Sequence, residues 1–232
     1  MSRYEQNIVL DLEFTPVDKK NKTKHFKYEI IQIGAVRLSN DGEIIDTFDS
    51  YISPEYSSGI SPAVRKLTGI TNCDLFEKDC LADVLVKFRE WVGDAKTRYV
   101  AWSDNDLKQL KQETAFKDID FPEGRRRWLD LQKVYPKFMQ VGNGRLMSLH
   151  TAADWYGVKV SEDQLHGALY DARVTAELMK YLVTGDYKEQ IKSLASVMPQ
   201  KSESNQTTFN LGDKFTALFA LKANLEACAA VS

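Results

Sequence analysis

The chain has 232 residues, of which 43% are hydrophobic and 28% charged, so it can bury a sizeable core, and wholesale disorder or low-complexity structure is excluded. Its net charge of −2 excludes a protein that holds nucleic acid by bulk electrostatic attraction alone. An anionic ligand must therefore be bound by particular groups at a local site. No uncharged apolar run of about 18 residues occurs, and the first residues lack the apolar segment of a signal peptide. We therefore expect a cytoplasmic protein without membrane contact.

The first fifty residues are predicted to form three antiparallel strands. Residues 8–14 are an apolar run with acids at alternate positions, so a strand there places Asp11 and Glu13 on one face. Residues 28–38 and 43–52 are the second and third predicted strands, joined by the turn signal Asn40-Asp41-Gly42. The polar loop between the first two strands is crowded with basic residues: Lys19, Lys20, Lys22, Lys24, His25 and Lys27.

Apolar residues at helical spacing dominate the rest of the chain as far as residue 182. Helices are predicted over residues 61–69, 81–92, 104–116, 146–156 and 171–182, with strands over 97–102 and 127–131. Because the later strands return by helical crossovers, this order predicts an α/β fold with a mixed β-sheet flanked by helices.

Composition divides the chain into three parts. A domain is predicted over residues 1–195, a polar linker over 196–210, and an amphipathic helix or tail over 211–232. The apolar stripe of the last segment needs a partner, so we expect contact with another protein or self-association there. A poorly ordered terminus is the alternative, because isolated helices of about 15 residues are marginal in water.

Three segments carry the candidates for chemistry. Asp11 and Glu13 lie on a hydrophobic strand, where acids are costly unless they bind a cation, although an exposed face or pairing with lysines would also explain them. Asp106 follows a strand at its carboxyl end, where α/β sheets carry functional groups, but it could simply complement a helix dipole. His166 and Asp171 flank the start of a helix and can be aimed at one point, with helix capping as the alternative.

Together these segments resemble the three ordered motifs of the DEDDh 3′-to-5′ exonucleases, the superfamily of RNase T and of polymerase proofreading subunits. The matching stretches are Asp11-Leu12-Glu13-Phe14-Thr15, Trp102-Ser103-Asp104-Asn105-Asp106 and His166-Gly167-Ala168-Leu169-Tyr170-Asp171-Ala172. Two further stretches are similar to the Eri-type and bacterial KapD-like branch: Ile60-Ser61-Pro62 and Leu67-Thr68-Gly69-Ile70-Thr71. The resemblance covers about residues 5–185 and implies an RNase H-like fold.

The resemblance also implies the chemistry. A metal-dependent 3′-to-5′ exonuclease would hydrolyse single-stranded ends by a two-metal-ion mechanism and release nucleoside 5′-monophosphates, with RNA favoured and DNA open. The two ions, Mg²⁺ or Mn²⁺, would be held by Asp11, Glu13, Asp106 and Asp171, because all-carboxylate ligation favours hard cations. His166 would be the general base. Asp104 is a second candidate for the fourth carboxylate, but Asp106 matches the family pattern better.

Four residues are expected to contact substrate by the same resemblance: Phe14, Thr15, Leu67 and Trp102. Leu67 resembles the apolar wedge beside the last base. Phe14 is expected to pack on the terminal nucleotide, unless strand alternation turns it into the core opposite the acids. Pro16 stands where the superfamily often has Gly and offers no N–H, so backbone donors for the 3′ end must come from Phe14 and Thr15.

Some patterns have two interpretations. The lysines at 19–27 and the arginines at 125–127 could follow a phosphate backbone or be solvated surface charge. His150 and Asp154 have metal-like i,i+4 spacing, but we interpret their segment as a packing helix because no third ligand is near. A regulatory binding module that keeps the exonuclease fold is the alternative function, although all five catalytic positions are filled.

Overall fold

The computed structural model describes residues 4–120, 128–134, 146–155, 158 and 167–184. His166, the arginines at 125–127 and all residues after 184 lie outside the described residues. The predictions made for them, including the domain end at 195, the linker at 196–210 and the segment at 211–232, stay predictions.

A five-stranded mixed sheet organises the described residues, with the strand order β3-β2-β1-β4-β5. The strands are β1 (Gln6–Pro16), β2 (Tyr28–Leu38), β3 (Ile44–Tyr51), β4 (Thr97–Ala101) and β5 (Trp128–Asp130). β2 pairs antiparallel with β1 and β3, whereas β4 pairs parallel with β1 and β5. The predicted mixed sheet, with three antiparallel strands followed by helical crossovers, is confirmed.

Helices of the described residues accompany the sheet, among them α1 (Pro62–Thr68), α2 (Asn72–Leu75), α3 (Leu81–Val92), α4 (Asn105–Phe116), α5 (Leu149–Trp155) and α6 (Ala168–Thr184). α1 begins at Ser61, whose hydroxyl accepts the N–H of Val64, and it ends at Gly69, whose φ of 75° suits glycine. The sequence did not predict α2, because four residues are too few to show helical periodicity. Within the described residues, no helix is long and apolar enough to span a lipid bilayer.

The pleat of β1 sends alternate side chains to opposite faces of the sheet. Ile8, Leu10 and Leu12 join the core cluster that α3 covers with Leu81, Val84, Leu85, Phe88 and Val92. The other face, which carries Asp11 and Glu13, receives the start of α6. β1 therefore has an apolar face toward α3 and an acidic face toward α6.

A buried charge cluster fastens the end of α4 to β2. The ammonium of Lys117 lies 2.9 Å from Glu113, 3.1 Å from Glu29 and 2.7 Å from Glu55. Glu113 and Glu29 are fully buried, and Glu113 also accepts the N–H of Ile30 at 2.7 Å. One ammonium thus serves two buried carboxylates, and burial raises the pKa of Glu113 to about 7.

This raised pKa predicts a loss of stability with rising pH. The folded chain holds a proton on Glu113 more tightly than the unfolded chain, whose pKa is near 4.5. Stability from this proton is present at low pH and is lost as the pH rises through about 7. Between pH 5 and pH 8, measured by urea unfolding, the wild type should lose about 2 kcal/mol more than Glu113→Gln. The exposed Glu43→Gln is the control, and equal losses in all three proteins would contradict the prediction.

Candidate active site

The parallel strands β1 and β4 stop pairing before β1 ends, which leaves one edge of β1 open. Their last pair is Val9 with Val100. Farther along β1, the N–H of Leu12 donates to the carboxylate of Asp106 at 3.3 Å. Asp106 is in the first turn of α4 and is 6% exposed. Its carboxylate therefore lies against the stretch of β1 that carries Asp11 and Glu13.

Asp104, the second candidate for the fourth carboxylate, has different neighbours. It precedes α4 and forms surface ion pairs with Lys108 at 2.7 Å and Lys133 at 2.9 Å. Two lysines already compensate its charge, whereas Asp106 is buried against β1. The geometry therefore favours Asp106 over Asp104 for the site.

β2 positions the start of α6 over the two acids of β1. Asp11 pairs with Gly34 and Glu13 pairs with Gln32, so these four residues share one face of the sheet. The amide oxygen of Gln32 accepts the N–H of Ala168 at 3.2 Å and so satisfies a free donor at the start of α6. A Cβ on Gly34 would lie 2.0 Å from the backbone nitrogen of Leu169, so only glycine allows this approach.

Three carboxylates meet beneath the start of α6. Asp171 is in the first turn of that helix, and Asp11, Glu13 and Asp171 each offer an oxygen within 4.8 Å of the others. Asp171 is buried, whereas the two acids of β1 are partly exposed. Carboxylates this close repel each other unless a cation or a proton lies between them. An all-oxygen donor set fits a hard divalent cation such as Mg²⁺ or Mn²⁺.

His150, which the sequence led us to interpret as part of a packing helix, lies at this site. It is on α5, and its Nε2 is 3.3 Å from Oδ1 of Asp171. The spacing to Asp154 gave no sign of this contact, because His150 meets Asp171 only through the packing of α5 against α6. The imidazole therefore contacts a carboxylate of the acidic cluster, and the interpretation of its segment as a packing helix did not predict this contact.

Removing the imidazole is expected to weaken metal binding. Hydrogen-bond partners of ligating carboxylates typically contribute about 10-fold to 100-fold in metal affinity or activity. We expect His150→Ala to raise the Mn²⁺ dissociation constant by such a factor, measured by titration calorimetry, and His150→Gln to restore part of the affinity. Asp154→Asn, on the same helix, is the control. An unchanged dissociation constant in His150→Ala would exclude this role.

The residues predicted to contact substrate are placed differently from one another. Leu67 is partly exposed on α1. Phe14 is also partly exposed, but it packs against the core with its ring edge-on to Tyr28 at 5.8 Å, as strand alternation allows. The side chain of Thr15 is fully buried. Trp102 is 5% exposed and its indole N–H donates to the carbonyl of Met147, so this side chain packs inside the protein, and its contact with substrate stays a prediction.

The profile of the RNase T exonuclease family matches residues 8–179, a stretch that contains all four acids of the site and His166. The chain belongs to this exonuclease family. It is a 3′-to-5′ exonuclease of the DEDDh superfamily, with relatives of the Eri and KapD type, and a metal-dependent hydrolase. The acidic cluster is the feature of this chain that corresponds to the divalent-metal requirement of the family.

Two curated relatives illustrate the range of this exonuclease family. The probable 3′-5′ exonuclease KapD of Bacillus subtilis is 32% identical over 174 residues, which is 75% of this chain and 82% of the relative. The DNA polymerase III subunit epsilon of Buchnera aphidicola is 26% identical over 232 residues, covering 97% of this chain and 90% of the relative.

A solved structure shares the RNase H-like fold. The nuclease domain of 3′hExo, a DEDDh family member bound to rAMP, matches with a TM-score of 0.69 at 24% identity and covers 79% of this chain and 94% of its own. At this identity the match concerns the fold of the exonuclease, and it agrees with the mixed sheet flanked by helices.

Proposed function

We propose that this exonuclease removes nucleoside 5′-monophosphates from the 3′ ends of single-stranded RNA, using two Mg²⁺ or Mn²⁺ ions. The observation that carries the proposal is the convergence of Asp11, Glu13 and Asp171 within 4.8 Å beside the buried Asp106. Two divalent ions bound there would stabilise the negative charge of the attacking and leaving oxygens. The acids account for how a chain of net charge −2 can act on a polyanion.

The residues of the site have two proposed roles, which are to bind the metal ions and to position the ligands. Asp11, Glu13 and Asp171 would hold one divalent ion, and Asp106 would contribute to the binding of the second. Gln32 and Gly34 fix the approach of α6 and thereby orient Asp171. Holding the donors in place beforehand lowers the reorganisation needed when charge develops in the transition state.

His166 is proposed to take the proton of the attacking water. An imidazole of ordinary pKa, about 6.5, is partly unprotonated at neutral pH and suits this role. We expect His166→Ala to lower kcat by about 100-fold to 10,000-fold, the usual contribution of a general base, with little change in Mn²⁺ affinity. An equal loss of metal affinity would instead indicate a ligand or structural role. The measurement pairs single-turnover kinetics with metal titration.

RNA is the proposed substrate and DNA the alternative. The matched nuclease domain carries rAMP, and the segments similar to the Eri-type branch, which includes an exoribonuclease, support an RNA substrate. The similarity to a DNA polymerase III subunit supports DNA. Leu67, partly exposed on α1, is proposed to contact the last base, and the backbone amides of Phe14 and Thr15 to face its sugar.

Digestion of matched oligonucleotides tests this proposal. RNA and DNA strands labelled at the 5′ end are incubated with Mg²⁺, with Mn²⁺ or with EDTA, and the released products are identified by chromatography. A ladder shortening from the 3′ end, faster on RNA and absent with EDTA, is expected. A faster ladder on DNA would overturn the RNA assignment, and no cleavage with either metal would overturn the proposed activity.

The segment at 211–232 is proposed to contact a protein partner or a second copy of the chain. Its apolar stripe at helical spacing supports this proposal. Deletion of residues 200–232 should leave nuclease activity intact and change the oligomeric state or partner binding, measured by light scattering. Precipitation of the shortened chain would instead assign the stripe to the core of the domain.

A further inference from the structure

A basic furrow runs along the exposed side of α4, away from the acidic site. It consists of two adjoining hollows that share Lys111. The first, about 230 Å³, is lined by Asp104, Leu107, Lys108 and Lys111. The second, about 350 Å³, is lined by His25, Phe26, Lys111, Gln112, Ala115 and Phe116. None of the described residues that line the second hollow is acidic.

The loop between β1 and β2 forms one wall of this furrow and is fixed in place. Phe26 is buried and stacks on Phe116 of α4 with ring centroids 3.9 Å apart. The hydroxyl of Thr23 accepts the N–H of Phe26 at 2.9 Å, and the N–H of Val17 closes the loop onto the carbonyl of Lys27. This anchoring orders the backbone from residue 17 to 27, so its outward side chains have a defined location.

Those outward side chains carry uncompensated positive charge. Lys19, Lys20, Lys22, Lys24 and Lys27 are all exposed, and none of them forms an ion pair within the described part of the chain. Lys111, on the facing helix, is likewise exposed and has no acidic partner there. By contrast, Lys108 is neutralised by Asp104. The uncompensated charge therefore lies on Lys111, which lines both hollows, and on the loop whose His25 and Phe26 line the second hollow.

α4 connects this furrow to the active site. At its first turn Asp106 contacts β1, and at its last turn Phe116 contacts the loop. Ten residues of helix at 1.5 Å each separate them, about 15 Å. At the 3.4 Å spacing of a stacked strand, that length corresponds to about four nucleotides.

We infer that the furrow between α4 and the 17–27 loop binds the single strand upstream of the 3′ end that is being cleaved. This inference rests on the proposed function and adds the path of the substrate. The lysines meet phosphates, and the ring of Phe116, which is 40% exposed, offers a face for a base. A nucleic acid strand fits this combination because it supplies regularly spaced anions together with flat rings that can stack.

Charge reversal tests the furrow separately from the catalytic site. We expect Lys24→Glu/Lys111→Glu to lower kcat/KM on a twelve-nucleotide RNA by about tenfold or more, and to leave a dinucleotide within about twofold because it cannot reach the furrow. Lys96→Glu/Lys180→Glu, at the opposite end of the sheet, makes the same change in net charge and serves as control. An equal loss on both substrates, or the same loss in the control, would overturn the inference.

Binding provides a readout that does not depend on turnover. Binding of the twelve-nucleotide RNA is measured in the background of Asp11→Asn, as the slope of log Kd against log salt concentration. This slope should be smaller by about 1.4 when Lys24 and Lys111 are both replaced by Glu, since each phosphate contact on a single strand contributes about 0.7. Phe116→Leu, which keeps an apolar contact with Phe26, should weaken this binding about fivefold.

Three further outcomes distinguish RNA from an acidic protein segment as the ligand of the furrow, and the proposed function from the furrow inference. Polyglutamate that displaces the RNA at equal charge would point to an acidic protein segment and overturn the nucleic acid assignment. If the wild type cleaves neither substrate, the proposed function fails. If the wild type cleaves both substrates but the reversed pair keeps its full preference for the longer one, only the furrow inference fails.

Discussion

An Asp11→Asn exchange is expected to lower kcat on a labelled RNA by at least about a thousandfold. Asp11 belongs to the acidic cluster with Glu13 and Asp171, and loss of its carboxylate would remove a ligand of the ions that are proposed to offset charge in the transition state. About 4 kcal/mol of lost transition-state stabilisation corresponds to that factor. Single-turnover cleavage at saturating Mn²⁺ measures it.

Stability should change in the opposite direction. In EDTA the three carboxylates repel one another, so replacing one of them by an amide is expected to leave the melting temperature equal to or above that of the wild type. The exposed Asp94→Asn should alter neither quantity. A variant that loses activity together with several degrees of thermal stability would assign Asp11 a structural role and weaken the metal-site interpretation.

Replacing Gly34 by alanine is expected to cost both stability and activity. The added Cβ would meet backbone atoms of Ala168 and Leu169 at 2.0 to 2.4 Å, and backbone cannot rotate away as a side chain can. α6 must therefore shift, and Asp171 with it. Overpacking of this kind typically costs about 1 to 3 kcal/mol, and a displacement of about 1 Å in a catalytic group can cost about 100-fold in rate.

Gly167→Ala provides a matched control for this prediction. Gly167 immediately precedes α6, and a Cβ built there meets no atom within 4 Å. Urea unfolding and single-turnover kinetics should therefore separate the two glycines. If Gly34→Ala keeps both the free energy of unfolding and the rate of the wild type, α6 does not need this close approach.

The sequence alone predicted the features that depend on residues close to one another along the chain. The alternation in β1 predicted that Asp11 and Glu13 share a face, and the helical spacing predicted α3 at its observed bounds. Each of these signals needs only residues that are close in sequence, together with one repeating period. Which of the distant acids belong together was implied instead by the resemblance of the three motifs to those of the DEDDh exonucleases.

The features that the sequence did not predict depend on tertiary contacts between distant segments. His150 reaches Asp171 from another helix, and Gly34 matters only because α6 approaches it. No pattern in the sequence marks Lys117, which follows the predicted helix at 104–116, as a buried residue, yet its ammonium lies between Glu29 and Glu113. Partners brought together from distant parts of the chain leave no periodic pattern in either segment.

The acidic cluster joins the first strand to the last helix of the described residues, and this separation determines when activity can appear. Asp11 and Glu13 emerge early in synthesis, but they have no Asp171 until α6 has been made and has docked on Gly34. Contacts between distant segments form late in folding because loop closure must precede them. A nascent chain that ends before α6 therefore cannot assemble the acidic cluster, and the proposed activity would start only after α6 has docked.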